Sequence, residues 1–106
     1  GFEIAVKEAD PWMIMSSYNK INGQQTSECR ELLTDILRGE WGFNGIVTTD
    51  WWTRGEHWRE VAAGNDLKMA CGYPETVLQA VADGRVSKQQ VRDCAKRILE
   101  LILKME

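Results

Sequence analysis

The 106-residue chain has the length of one small domain, and 43% of its residues are hydrophobic, which is enough for an ordinary core. Its net charge is −3, and the 13 basic and 16 acidic residues are mixed along the sequence, which argues against a nucleic-acid partner. No apolar run approaches the roughly 20 residues of a membrane-spanning helix, so no membrane partner is expected. The sequence begins at Gly1 without a signal-like segment, and we expect it to be a piece of a longer protein.

Three segments have the pattern of strands. The apolar run of residues 12–15 and the β-branched run of residues 46–49 are too short for helices and are typical of strands buried on both faces. Residues 66–70 form a third and shorter candidate. Before the first strand, residues 2–9 resemble the last turns of a helix that Pro11 stops.

Helical signals fill the segments between and after these strands. We expect a helix that is capped by Ser27 and ends at Gly39 or Gly42. A short helix is expected over residues 56–63, and another is expected to begin at Pro74.

The clearest local signal begins the final helix. Ser87 and Gln90 form a capping box, and Val86 and Val91 are spaced to pack across it. The apolar stripes that we expect the three longer helices to bury are Cys29, Leu32, Leu33, Ile36 and Leu37; Val77, Leu78 and Val81; and Val91, Cys94, Ala95, Ile98, Leu99, Ile102 and Met105.

The alternation of strands and helices predicts an α/β fold with a parallel sheet and right-handed crossovers. Three parallel strands make a thin sheet, and the helices offer enough apolar surface to cover one of its two faces. The uncovered face and the open sheet edges would favour a homo-oligomer.

The three cysteines, Cys29, Cys71 and Cys94, are widely spaced and odd in number, and no Cys-x-x-Cys pair occurs. We therefore expect reduced thiols rather than disulfides or a metal site, which favours a cytoplasmic or otherwise reducing setting. No motif indicates a cofactor.

A single acid stands where the second strand ends. Asp50 follows the buried run and precedes Trp51 and Trp52. The carboxyl ends of parallel strands are where α/β proteins place ligands and catalytic groups, and residues 15–18 and 69–71 would reach the same edge from the other two strands. The alternative is that Asp50 caps the next loop or helix, although a cap has no need of two indoles.

A carboxylate beside a phenol and an indole suits carbohydrate chemistry. The flat faces of Tyr and Trp rings pack against the C–H surfaces of pyranoses, and a carboxylate can attack an anomeric carbon or stabilise its positive charge. Glycoside hydrolysis ordinarily requires a second carboxyl group, about 5–5.5 Å away in a retaining enzyme. One Asp therefore cannot be the whole catalytic apparatus.

Several motifs in a fixed order resemble glycoside hydrolase family 3, and in particular its β-glucosidase and β-xylosidase branch. They are MSSYNKING at residues 15–23, EWGFNG at 40–45, TDW at 49–51 and AGNDLKM at 63–69. The resemblance implies that residues 1–106 are the C-terminal portion of that family's N-terminal domain, a (β/α)8 or TIM-type barrel, and are an incomplete domain by themselves.

By this resemblance, Asp50 is the catalytic nucleophile of a retaining β-glycosidase that hydrolyses β-glucosides or β-xylosides through a covalent glycosyl-enzyme. Tyr18 matches the tyrosine beside the nucleophile, and Met15 and Trp51 match residues that line the glycone subsite. The family's N-acetylglucosaminidase branch typically has a second Asp at the position of Trp51, so that branch fits less well. The family's acid/base and its earlier sugar-binding segments lie outside these residues, so the chain alone is expected to be inactive.

Two positions depart from the family pattern. Thr49 stands where Ser is usual, and Trp52 stands where a smaller residue is common, which would alter the floor or rim of the pocket. A hypothesis of a different class is a non-catalytic α/β fragment, or a self-associating module, that keeps the motif as a scaffold.

The remaining candidates have ordinary structural interpretations. His57 is expected at the surface or in a loop rather than in catalysis, and Asp66 is expected to hold a loop in place rather than to bind sugar. Glu40 is expected at the opposite end of the sheet and Glu56 in solvent, so neither is the expected partner acid of Asp50. The tryptophans expected in the core are Trp12, Trp41 and Trp58.

Overall fold

The computed structural model describes all residues from 1 to 106 as helices around a small parallel sheet, together with a separate hairpin. The strands are β1 (Met13–Met15), β2 (Lys20–Ile21), β3 (Gln24–Gln25) and β4 (Ile46–Thr48). The helices are α1 (Phe2–Ala9), a π-helix (Glu31–Glu40), α2 (His57–Ala63), α3 (Pro74–Ala82) and α4 (Lys88–Lys104), with a 3-10 turn at Thr26–Glu28.

The sheet is built on one parallel pair of strands. β1 and β4 pair in a register that places Met15 opposite Thr48, and the π-helix lies in the connection between them. Parallel strands joined through a helix confirm the predicted α/β class.

The third candidate strand contributes only a parallel bridge between Leu67 and Thr48. Side-chain hydrogen bonds replace the rest of its ladder. Asp66 Oδ2 accepts a backbone N–H of β4 at 2.9 Å, and Thr49 Oγ1 accepts the N–H of Met69 at 2.9 Å. The predicted strand is therefore present as an alignment of the chain but not as a continuous ladder.

Burial differs sharply between the two strands. All three residues of β4 are buried, as predicted. The same prediction is wrong for β1, because Met13 and Met15 are 47% and 54% exposed, and the expected core residue Trp12 is also exposed. The reason is that β4 is flanked on one edge by β1 and on the other by the segment at Leu67, whereas β1 has a neighbour on one edge only.

The core gathers side chains from α1, the π-helix, β4 and α2. Ile14 and Trp41 pack against it from the side, which confirms the interpretation of Trp41 as a structural residue. The buried residues of this core are Val6, Leu33, Leu37, Phe43, Val47 and Ala63.

The expected capping by Ser27 is wrong. Ser27 lies within the 3-10 turn, in which the N–H of Cys29 donates to the carbonyl oxygen of Thr26, and the π-helix begins later without a side-chain cap. Ser27 Oγ is buried and has no hydrogen-bond partner. The helix ends at Glu40, and the expected stop signal lies two residues beyond it at Gly42, whose left-handed φ of 72° favours glycine.

The predicted capping box at the start of α4 is confirmed. Ser87 Oγ accepts the N–H of Gln90 at 3.0 Å, and Gln90 Oε1 accepts the N–H of Ser87 at 2.9 Å. The chain thereby satisfies two backbone donors at the helix start with its own side chains.

The stripes expected on α3 and α4 are too wide, because each helix packs along a narrow line. α3 packs against α2 and fully buries Ala80, whereas Leu78 is 70% exposed. α4 packs against α2 and β4 and buries Cys94. The residues of the expected stripe that are exposed are Ala95, Leu99 and Ile102 in α4 and Met105 directly after it.

None of the helices combines the length and the apolar composition that crossing a membrane requires. The three cysteines are free, with Cys29 and Cys94 buried and Cys71 exposed. Burial, followed by the negative charge of Asp66, raises the pKa of the Cys94 thiol to about 11.

Candidate active site

The carboxyl ends of β1 and β4 lie side by side. Ser16, the residue after β1, donates its N–H to the carbonyl oxygen of Thr48 at 2.8 Å, and the segments that follow the two strands leave the sheet at the same edge. Tyr18 lies in the segment after β1, and Asp50 lies in the segment after β4. The sequence-based expectation that these two segments converge is met by the register of the strands.

Asp50 is half-buried at this edge. Its Oδ1 accepts the N–H of Trp51 at 2.7 Å, and its carboxylate enters no ion pair with a Lys or Arg side chain. It does not cap α2, whose N-cap position is occupied by Glu56. Of the alternative in which Asp50 caps the next loop or helix, the helix half is therefore wrong, whereas the loop half is confirmed because the carboxylate accepts the first N–H of the loop.

The loops after the two strands are joined by one hydrogen bond. Trp52 donates its backbone N–H to Tyr18 Oη at 3.0 Å, so the phenol and the tryptophan pair belong to one structural unit. The rings of Trp51 and Trp52 meet edge to face, with centroids 6.1 Å apart and planes at 79°. Both indoles are exposed, and Met15 is exposed where β1 ends.

A buried polar cluster lies directly behind this loop. Lys68 Nζ donates to Glu60 Oε1 at 2.6 Å and to Thr53 Oγ1 at 3.2 Å, and Thr53 Oγ1 lies 3.2 Å from Glu60 Oε2. Burial raises the pKa of the Glu60 carboxyl above its ordinary value, although the hydrogen bond and charge of Lys68 oppose that shift. The cluster fixes Thr53, three residues after Asp50, to α2 and to the chain beyond Leu67.

The sequence interpretation missed this cluster. Glu60 and Lys68 are polar residues eight positions apart, and no periodic pattern shows that both face inward. The one available signal is Gly55, because a side chain there would approach Glu60 Oε1 to 2.8 Å and Ser27 Oγ to 2.9 Å.

The structural interpretation of Asp66 is confirmed. Its carboxylate, which is fully buried, lies 2.8 Å from Arg38 Nη2 and 2.8 Å from Arg97 Nε, and it also accepts the N–H of Val47 at 2.9 Å. This arrangement ties the π-helix and α4 to the central strand. Both oxygens of the Asp66 carboxylate are therefore engaged within the protein.

His57 also has a structural position. Its Nδ1 accepts the N–H of Tyr73 at 2.9 Å, so the ring links the start of α2 to the start of α3. Burial, and then the positive charge of Lys68, lower the pKa of the imidazole below its ordinary value. The half-buried Trp58 lies under two guanidinium groups, Arg59 at 5.1 Å and Arg85 at 4.6 Å, which makes it a packing residue near the surface rather than a core residue.

No hydrogen bond joins another acidic side chain to Asp50, whose carboxylate accepts only the N–H of Trp51. Glu56 is exposed and pairs with Arg59 at 2.9 Å, and Glu40 is exposed at the end of the π-helix, before β4 begins. No group of three or more His, Cys, Asp or Glu side chains lies close enough to hold a metal ion.

Parallel strands flanked by helices define an α/β protein, and the carboxylate and aromatic rings at the carboxyl edge of its sheet are its candidate ligand site. The sequence profile described as "Glycosyl hydrolase family 3 N terminal domain" matches residues 1–101. The chain belongs to glycosyl hydrolase family 3.

Two relatives illustrate the similarity in sequence. Beta-glucosidase A of Butyrivibrio fibrisolvens is 53% identical over 96 residues, which make up 91% of this chain and 11% of that protein. The exo-alpha-(1->6)-L-arabinopyranosidase of Bifidobacterium breve is 42% identical over 104 residues, 97% of this chain and 14% of that protein.

Solved structures show the same similarity in three dimensions. The crystal structure of a β-glucosidase from Bifidobacterium adolescentis superposes with a TM-score of 0.91 at 41% identity, covering 97% of this chain and 15% of that one. β-Glucosidase 3B from Thermotoga neapolitana, in complex with α-D-glucose, superposes with a TM-score of 0.89 at 36% identity, covering 96% and 16%. The chain thus spans between 11% and 16% of the lengths of these four proteins.

Proposed function

We propose that residues 1–106 form the C-terminal portion of a (β/α)8 barrel and supply the nucleophile of a retaining β-glycosidase. The observation that carries the proposal is the position and hydrogen bonding of the Asp50 carboxylate. Its carboxylate stands at the carboxyl edge of a parallel sheet, is free of ion pairs, and has one oxygen held by the N–H of Trp51 at 2.7 Å. The second oxygen is thereby left to attack an anomeric carbon.

The surrounding residues support this role. Trp51 is exposed beside the carboxylate and offers an apolar ring face to a pyranose, and Tyr18 is joined to the same loop through Trp52. Met15 is exposed where β1 ends, opposite Thr48 of the strand that leads to Asp50. We assign Met15, Tyr18 and Trp51 to the glycone subsite.

The reaction needs a group that these residues do not supply. In the first step, Asp50 forms a bond to the anomeric carbon while a second carboxyl group protonates the departing oxygen; in the next step, water releases the sugar and regenerates Asp50. Glu60 is engaged with Lys68, and Glu56 is engaged with Arg59. The acid/base therefore comes from another segment of the complete protein, and the isolated chain is inactive.

The names of the relatives support a substrate class. Beta-glucosidase is the name of three of the relatives in sequence, and exo-alpha-(1->6)-L-arabinopyranosidase is the name of two, from Bifidobacterium breve and Bifidobacterium longum. We propose β-glucosides or related β-glycosides such as β-xylosides as substrates of the complete protein.

Mechanism-based labelling tests the assignment of the nucleophile. The complete protein is incubated with an activated 2-deoxy-2-fluoro-β-glucoside, digested, and analysed by mass spectrometry. The glycosyl adduct is expected on the peptide that contains Asp50, and the Asp50→Asn variant is expected to remain unlabelled. An adduct on any other residue would overturn the proposal.

A second candidate rests on the open edge of β1, where Met13 and Met15 are exposed. A non-catalytic fragment with this edge would associate with further copies of itself through the uncovered sheet surface. Light scattering after size exclusion tests this: a strictly monomeric 106-residue chain that unfolds cooperatively would contradict it.

A further inference from the structure

The loop that carries Asp50 begins at a residue that is fixed by two hydrogen bonds. Thr49 donates its N–H to the carbonyl oxygen of Leu67 at 2.9 Å, and its Oγ1 accepts the N–H of Met69 at 2.9 Å. Thr49 is fully buried, and hydrogen bonds are electrostatically stronger inside a protein than in water. The backbone that leads into Asp50 is therefore held in one position relative to residues 67–69.

The same segment of the chain holds the other end of the loop. Lys68 Nζ donates to Thr53 Oγ1 at 3.2 Å, and the Thr53 hydroxyl donates to Glu60 Oε2 at 3.2 Å. One hydroxyl thus accepts a hydrogen bond from an ammonium group and donates another to a carboxylate, and bonds with charged partners are about twice as strong as neutral ones. Because the Lys68–Glu60 pair is itself buried, Thr53 is held against charged groups of fixed position.

Between these two ends, the Asp50 carboxylate is oriented by the loop itself. Its Oδ1 accepts the N–H of Trp51 at 2.7 Å and makes no hydrogen bond to a side chain. The direction of the peptide at Trp51 therefore sets the direction of the second carboxylate oxygen. That peptide lies between the fixed start of the loop and the two residues that hold its end, which are Trp52 through Tyr18 and Thr53 through its hydroxyl.

We propose that Thr53 is a positioning residue for the nucleophile, because its hydroxyl fixes the end of the loop and thereby the free oxygen of Asp50. This inference rests on the proposed function of Asp50 and deepens it, since it names a residue outside the glycone subsite on which the attack depends. The Thr53 hydroxyl is engaged within the protein on both sides, so it acts through the backbone rather than on the sugar. Its loss should slow the chemical step and leave substrate binding nearly unchanged.

The kinetics of mechanism-based labelling separate these two effects in the complete protein. Varying the concentration of an activated 2-deoxy-2-fluoro-β-glucoside gives a labelling rate constant at saturation and a half-saturation concentration. Thr53→Val keeps the shape of the side chain and removes its hydroxyl. The rate constant is expected to fall about 10- to 100-fold, since a misplacement of about 1 Å at a reacting group costs up to about 10²-fold. The half-saturation concentration is expected to change by less than about twofold.

Matched variants distinguish positioning from a general loss of stability. Thr53→Ser keeps the hydroxyl, and its labelling rate constant is expected to stay within about twofold of that of the natural protein. Thr34→Val removes a hydroxyl that donates to the carbonyl oxygen of Ala63 at 2.8 Å, between the π-helix and the end of α2, and is expected to leave the rate constant unchanged. All variants are labelled at a temperature at which circular dichroism shows them folded, and Thr53→Ala replaces Thr53→Val if the latter does not fold.

The positioning role would be overturned by an unchanged rate constant in Thr53→Val, or by a rise in its half-saturation concentration alone. It would also be overturned if Thr53→Ser or Thr34→Val lowered the rate constant as far as Thr53→Val does. The mapped adduct separates these results from the proposed function. An adduct on Asp50 that forms equally fast in Thr53→Val contradicts this inference alone, whereas an adduct on another residue contradicts the proposed function.

Discussion

Lys68 and Glu60 form an ion pair at 2.6 Å in which the side chains are only 7% and 1% exposed. Two charges removed from water lose much of their hydration, and the pair repays that loss only through close geometry and additional hydrogen bonds. Thr53 supplies such a bond to each partner. The cluster therefore stabilises one particular conformation of the loop that begins at Asp50 more than it stabilises the fold as a whole.

Removing one partner is expected to be costly. Lys68→Met in the complete protein leaves the Glu60 carboxylate buried and unpaired, which is expected to lower the free energy of unfolding by about 3–5 kcal/mol at neutral pH. The double variant with Glu60→Gln should recover most of that loss, because no unpaired charge remains. Denaturant unfolding followed by tryptophan fluorescence measures both changes.

Because the pKa of Glu60 is shifted, the stability change in Lys68→Met should depend on pH. The folded-state pKa of Glu60 is raised, so the folded protein holds its proton to higher pH than the unfolded chain, and the stability that Glu60 contributes is lost as pH rises through the folded pKa. In Lys68→Met the opposing effect of Lys68 is gone, so the deficit should shrink as pH falls. Lys7→Met serves as the control, because its partner Glu3 is half-exposed and the expected change is below about 0.5 kcal/mol.

His57 is expected to make stability depend on pH in the opposite sense. Its folded-state pKa is lowered, so the unfolded chain binds the proton more readily, and stability is lost as pH falls from above the ordinary value of 6.5 through the folded pKa. In His57→Gln this part of the pH dependence should disappear, while an amide oxygen remains to accept the N–H of Tyr73. Thermal unfolding between pH 5 and pH 8 would contradict the assignment if the two proteins showed parallel curves.

The elements that carry local signals are the ones the sequence predicted well. The capping box at Ser87 and Gln90 and the stop signal at Gly42, just after the π-helix, are encoded by neighbours in the chain, and so is the buried run that became β4. The position of Asp50 after that strand followed from the same pattern. The Asn22-Gly23 pair is an equally local signal, because this pair is typical of the two-residue turn that joins β2 and β3.

The predictions that were wrong, and the structural features that were not predicted, depend on contacts between residues distant in sequence. The exposure of Met13 and Leu78 depends on which elements pack against β1 and α3. An apolar pattern in the sequence does not identify those elements. The third strand is reduced to one bridge because Asp66 uses its carboxylate for two arginines and a backbone N–H. The inward position of Glu60 depends on Lys68, and a polar residue on a short helix gives no local sign of burial.

Tyr18 is expected to matter for activity more than for stability. Tyr18→Phe removes the acceptor of the N–H of Trp52, but this bond is exposed and water can replace it, so the free energy of unfolding should fall by about 1 kcal/mol or less. The loop beside Asp50 would lose its link to the chain after β1, and a displacement of about 1 Å at a reacting group lowers rates about 10²-fold.

The matched control for that variant is Tyr73→Phe. The hydroxyl of Tyr73 contacts the exposed Cys71 Sγ at 3.7 Å and lies outside the proposed glycone subsite, so neither kcat/KM nor stability should change appreciably. Measuring kcat/KM and the free energy of unfolding for both variants distinguishes a role of Tyr18 in activity from a role in stability. A loss of stability in Tyr18→Phe large enough to account for its loss of activity would assign the tyrosine a purely structural role.

The stereochemical course of the reaction can be tested by removing Asp50. Asp50→Gly deletes the proposed nucleophile and is expected to lower kcat by at least about 10³-fold, since the acid/base can still protonate the departing oxygen but no carboxylate remains to attack the anomeric carbon. The cavity that remains is open to a small anion, and azide should restore turnover of an activated β-glucoside by attacking from the face that Asp50 occupied. That attack inverts the anomeric carbon once, so the product should be the α-glycosyl azide, which NMR distinguishes from the β-anomer. Formation of the β-azide, or rescue of equal size in a Glu56→Gly control, would place the nucleophile elsewhere.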